Sequence, residues 1–109
     1  MAYDEKLSDQ IRALLVKVSG LVEKKMFGGV GYLVNGNMAF GVHKNALIIR
    51  VGPGNYPKSI TQPHVHVFDM TGKPMAGWVV VEPEGFARKS DLKAWVEQGL
   101  AFARSLPEK

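Results

Sequence analysis

From Asp4 to Ser19 the apolar residues Leu7, Ile11, Leu14, Leu15 and Val18 recur at offsets of four, seven, eight and eleven, which traces one face of an α-helix. Asp4 and Glu5 stand where the helix dipole favours acids, Lys17 stands near the other end, and Gly20 is a natural stop. The period then changes to two. Between Lys25 and Val34, Met26, Val30, Tyr32 and Val34 point one way, and Phe27 and Leu33 the other. Asn35-Gly36 follows, a pair that tolerates the positive φ of a tight type I′ hairpin. Met38, Phe40 and Val42 alternate on the return strand, and a turn near Lys44-Asn45 leads into a third strand, Ala46 to Val51.

Gly52-Pro53-Gly54-Asn55-Tyr56-Pro57 interrupts the sheet, and residues 57–62 suit one short helical turn with Pro57 in its first turn. A fourth strand is predicted over His64 to Phe68, a loop over Asp69 to Pro74, and a fifth strand over Gly77 to Val81, ended by Pro83. Three consecutive valines in that last strand suggest burial on both faces. Ser90 is a plausible N-cap. Leu92, Trp95, Val96, Gly99, Phe102, Ala103 and Leu106 follow at helical spacing until Pro107. This pattern predicts an α+β fold in two layers: a five-stranded antiparallel sheet with helices packed on one face, in the order helix, three strands, short helical turn, two strands, helix. With no repeat or linker, residues 1–109 read as one domain.

Composition narrows the function without naming it. Apolar residues make up 46% of the chain and charged residues 22%, an ordinary globular balance. The net charge is +4, but seven basic residues precede Asn55 and seven follow it, so no basic tail is present to grip nucleic acid. The absence of cysteine excludes disulfides, thiolate catalysis and cysteine-ligated metals. The start, Met1-Ala2-Tyr3-Asp4-Glu5, shows no basic-then-apolar leader, and no apolar run approaches the ~20 residues that span a bilayer. A cytoplasmic protein with no membrane partner is therefore expected.

Three blocks carry a family resemblance: Lys24-Lys25-Met26-Phe27-Gly28-Gly29, Gly36-Asn37-Met38-Ala39-Phe40 and Leu47-Ile48-Ile49-Arg50-Val51. With Gly72-Lys73-Pro74-Met75 before Gly77-Trp78 and the closing amphipathic helix, the chain resembles the TfoX N-terminal domain family along essentially its whole length. The resemblance implies a bacterial protein with a five-stranded antiparallel sheet and helices on one side. Founding members of the family regulate natural competence and carry a second domain after this one. This chain ends at Lys109 and reads as a single-domain relative, with the role of a regulatory or adaptor module.

Candidate chemistry is sparse. Gly29-Val30-Gly31 begins a G-x-G, but position 34 is Val, and a hairpin follows where a phosphate site needs a helix start. The glycines more readily permit a bulge, strong twist or close helix approach. Lys24 and Lys25 precede them, and Arg50 lies on the strand face opposite Leu47, Ile49 and Val51. A basic patch of Lys24, Lys25 and Arg50, joined by Lys44 and His43, is the candidate binding surface, with Gly28 and Gly29 shaping its edge.

His64-Val65-His66 would put two imidazoles on one strand face. A zinc site needs a third protein ligand, for which His43, Asp69 and Glu82 are the candidates, and spacing does not unite them. No serine elbow or spaced carboxylate pair suggests catalysis. Trp78, Trp95, Phe86 and Phe102 are expected in the core, leaving Tyr56 and Phe68 open. The expected function is therefore non-catalytic protein–protein recognition without a cofactor, with homodimerisation as a secondary expectation. Direct nucleic-acid binding is the alternative, and a small metal enzyme built on His64 and His66 ranks below it.

Overall fold

The computed structural model describes residues 5–15, 18–26, 29–68 and 77–107. The chain runs α1 (Glu5–Leu14), β1 (Leu21–Met26), β2 (Gly29–Val34), β3 (Asn37–His43), β4 (Ala46–Arg50), α2 (Tyr56–Ser59), β5 (Val65–Val67), β6 (Trp78–Val81), a 3₁₀ turn (Pro83–Phe86) and α3 (Lys89–Ser105). All strands pair antiparallel in one sheet of order β1-β2-β3-β4-β6-β5.

The sheet has six strands, not the expected five. The additional strand is β1, whose last residues had been read as the start of β2. Leu-Val-Glu-Lys-Lys-Met lies at the sheet edge with Val22, Glu23, Lys24 and Lys25 all exposed, so the chain carries no alternating apolar pattern to announce it. The closing helix also begins differently: its N-cap is Arg88 rather than Ser90, which lies inside the first turn. Asn35 and Gly36 adopt φ of 53° and 83°, as the hairpin signal required.

One face of the sheet is a continuous apolar surface. Cross-strand pairing aligns Tyr32, Phe40, Ile49, Val79 and Val67 in one row, and Val30, Val42, Leu47, Val81 and Val65 in the next. Leu7, Ile11 and Leu15 at the α1 end and Leu92, Trp95, Val96, Leu100 and Ala103 of α3 complete the core against these rows. Tyr32 and Phe40 stack with ring centres 5.0 Å apart.

A bulge sets how closely α3 can approach. Tyr32 pairs with Phe40 but Leu33 pairs with Met38, leaving Ala39 as the extra residue. This shift turns Met38 away from the face that holds Phe40 and Val42, against the simple alternation expected for the three. The Ala39 carbonyl instead meets α3 at Gly99, where an added Cβ would stand 2.6 Å from that oxygen.

The Tyr32 hydroxyl lies 2.6 Å from Ser8 Oγ of α1, and both residues are buried. Above them Arg12 donates to both carboxylate oxygens of Glu23 on β1 and to Asp9. These bonds tie α1 to β1 and β2, the outer strands of the sheet. Burial pushes the Tyr32 phenol up to about 12.

Substitutions at three positions test this packing. Gly99→Ala destabilises the protein by about 1–3 kcal/mol despite the ~1 kcal/mol that alanine adds to an ordinary helix. Gly54→Ala, where the new methyl meets nothing within 4 Å, leaves the denaturation midpoint nearly unchanged. Tyr32→Phe strips Ser8 of its close partner and costs about 1–2 kcal/mol in urea unfolding. In the wild type the raised Tyr32 pKa holds its proton more tightly in the folded state. Its contribution is complete below the unfolded value near 10 and is lost as pH rises through about 12, so alkaline unfolding over that window weakens in Tyr32→Phe.

Candidate functional site

Both long helices pack on one face, and among the described residues no helix lies on the other. The pleat decides which residues appear there. Lys24, Gly31, Gly41, Ile48, Val80 and His66 form a cross-strand row on this open face, and Arg50 pairs with Trp78 in a neighbouring row. The central Gly31–Gly41 pair carries no side chains. A Cβ on Gly41 would stand 2.8 Å from the Val30 carbonyl and 3.1 Å from Met38 Cε, so the position admits Met38 across its surface. At Gly29 an added Cβ would collide with the Val42 carbonyl. Gly29 therefore serves close strand approach, and Gly28 lies outside the described residues.

Trp78 belongs to this open face and not to the core, where the sequence pattern had placed it. The reason is register: Val79 and Val81 are fully buried against the helices, so their neighbours Trp78 and Val80 face outward. The valine run concealed an ordinary alternation. Phe68 lies beside Trp78, with ring centres 6.2 Å apart. Trp95 is buried, its indole N–H donating to the Gly85 carbonyl, and Phe86 packs against the core as expected.

Arg50 is held within the chain. Its guanidinium stands 5.3 Å from the centre of the Trp78 ring and 5.4 Å from that of Phe102, and it donates to the Met38 carbonyl at 3.5 Å. Lys24 and Lys25 are neighbours on β1 and so project to opposite faces. Lys24 shares the open face with Arg50, but three strand spacings separate them, about 14 Å. The three cations thus occupy separate positions and form no single patch.

The histidines also separate. His64 precedes β5 with φ 64° and is not on the strand. It lines a hollow of about 380 Å³ with Glu84, Asp91 and Trp95 on the helix side. His66 projects from β5 to the open side, where its Nε2 lies 2.7 Å from Glu82 Oε2 and its Nδ1 3.2 Å from the Val67 carbonyl. The expectation that His64 and His66 share a strand face is therefore corrected: a positive φ at His64 breaks the alternation before the strand begins. Among the described residues no three His, Asp or Glu side chains gather as a metal site.

On the open side, His66, Phe68 and Glu82 join His43 and Lys44, from the β3–β4 turn, around a hollow of about 320 Å³ floored by Ile48 and Val80. Spacing along the chain gave no sign of this meeting, because it joins three segments separated by twelve residues or more.

Comparison with known protein families matches residues 13–103, most of the chain, to the TfoX N-terminal domain. The chain belongs to the TfoX N-terminal domain family. No curated protein and no solved structure matches it. The matched span takes in all six strands and most of α3, so both sheet faces are part of the family domain. Among the described residues, no helix is long and apolar enough to cross a membrane.

The Arg50 cluster predicts a discriminating pair of variants. Arg50→Ala lowers stability by about 1 kcal/mol in urea unfolding, through lost ring contacts. Arg50→Lys recovers only part of that, because a compact ammonium cannot lie flat between two rings.

Proposed function

We propose that this chain is a non-catalytic regulatory domain, of the kind that serves competence regulation in its family, and that it acts by binding a protein through the open face of its sheet. The observation that carries this reading is the pair of rings, Phe68 and Trp78, side by side on the face without helices. Aromatic side chains flanked by aliphatic ones are the composition of interface cores, and here Ile48 and Val80 continue the apolar surface. Lys24 and Lys44 are exposed toward its margins and supply charge for orientation. Self-association through the same face is the simplest form of such contact.

Nucleic-acid binding draws on the same rings, since bases stack on aromatic side chains beside arginine. The placement of the cations favours protein. Arg50 is already bonded within the fold, and Lys24 and Lys25 diverge. A strand of nucleic acid needs a continuous basic track.

The test is partner capture by tagged protein. Lys24→Glu combined with Phe68→Ser is expected to reduce capture by tenfold or more, with an unchanged circular dichroism spectrum. Lys93→Glu, on the exposed side of α3, leaves capture intact. Duplex DNA retention at low salt that falls steeply as salt rises, or capture lost in Lys93→Glu alone, would overturn the proposal.

A further inference from the structure

We infer that the open-face hollow is a binding site for a small organic anion: a carboxylate attached to a compact apolar body. This goes beyond recognition of a protein by the same face.

The hollow is a trough across the sheet. Its floor is Ile48 on β4 and Val80 on β6, which are directly paired. One wall is the β3–β4 turn with His43 and Lys44, and the other is β5 with His66 and Phe68. Ile48 is only 7% exposed although, among the described residues, no helix lies on its side of the sheet. The volume of about 320 Å³ falls at the small end of ligand sites and suits a body the size of a benzene ring or a short alkyl chain.

Hydrogen-bond capacity around the rim decides the charge of the ligand. Among the described residues Glu82 is the one carboxylate in the lining, and one of its oxygens accepts from His66 at 2.7 Å. Lys44 forms no ion pair among the described residues and stands exposed at the tip of the turn with φ 55°. His43 adjoins it on the same wall. Among the described residues, the charged rim group left without an ion-pair partner is therefore the Lys44 ammonium, a donor only. A carboxylate placed at the Lys44 wall satisfies that donor, while its apolar part lies over Ile48 and Val80 against the Phe68 ring. An organic cation would have to share Glu82 with His66, and a neutral alcohol of the same shape would leave the lysine solvated as before.

The test is a titration of isotopically labelled full chain with benzoate, followed by amide and methyl shifts, with benzylamine and benzyl alcohol as matched probes. Saturable shifts at Ile48, Val80 and residues 43–46, from benzoate but not from the amine or the alcohol, are expected at millimolar concentration. Lys44→Asn removes the charge yet suits the positive φ, and it should weaken binding about fivefold. His43→Gln should weaken it less. Both variants must keep the wild-type pattern of shifts elsewhere. A peptide ending in a free leucine carboxylate, compared with its C-terminal amide, separates the other source of this chemistry. The inference is overturned by non-saturable or scattered shifts with benzoate, by equal response to benzylamine, or by unchanged benzoate affinity in Lys44→Asn. Binding of the peptide without binding of benzoate overturns it in favour of a partner's chain end.

Discussion

The structure depends on one cross-strand row. Tyr32, Phe40, Ile49, Val79 and Val67 lie side by side across five strands of the sheet. The Tyr32–Phe40 stack at one end gives α1 and α3 a shared surface to bury. Burial of that row fixes the register of every strand that contributes to it, because a slip by one residue would turn the apolar set outward. The row also determines the opposite face, since whatever alternates with it must point away from the helices. Lys24, Gly31, Gly41, Ile48, Val80 and His66 are consequences of the core as much as choices of the surface.

This coupling explains how a small domain fixes the side chains of the sheet face opposite its helices. The helices satisfy the hydrophobic demand on one side only, and a two-layer fold of this size has no third layer for the other. Side chains on the open face are then released from the core but held in position by the strands beneath them. Trp78 and Phe68 form a pair there, Arg50 is braced between rings, and the imidazole of His66 is bonded to Glu82. Rigid strands place such groups more accurately than loops do.

The glycines act on the sheet itself. At Gly29 and Gly41 they permit backbone to approach backbone, and at Gly99 they permit helix α3 to approach the bulge at Ala39. A glycine-rich run after two lysines resembles a phosphate loop in composition, but Gly29 and Gly31 lie in a strand and no helix start follows them.

The amino-acid sequence by itself determined the presence of the two long helices, the Asn35-Gly36 hairpin, the break at Gly52–Pro57 and the family, but not the end of α1, which stops at Leu14, short of the expected Ser19. Each depends on local periodicity, turn chemistry or a contiguous block of residues. Tertiary structure alone decided three further matters. Strand β1 exists because β2 offers it an edge, although its own residues are mostly exposed and show no pattern. Trp78 faces outward because its neighbours Val79 and Val81 are claimed by the core, a choice that four apolar residues in succession do not reveal. His43, Lys44, His66 and Glu82 meet around one hollow because β5 pairs with β6 and β6 with β4. Such contacts arise from long-range pairing, whose energy is shared by the whole sheet and leaves no mark in the local spacing of the residues it unites.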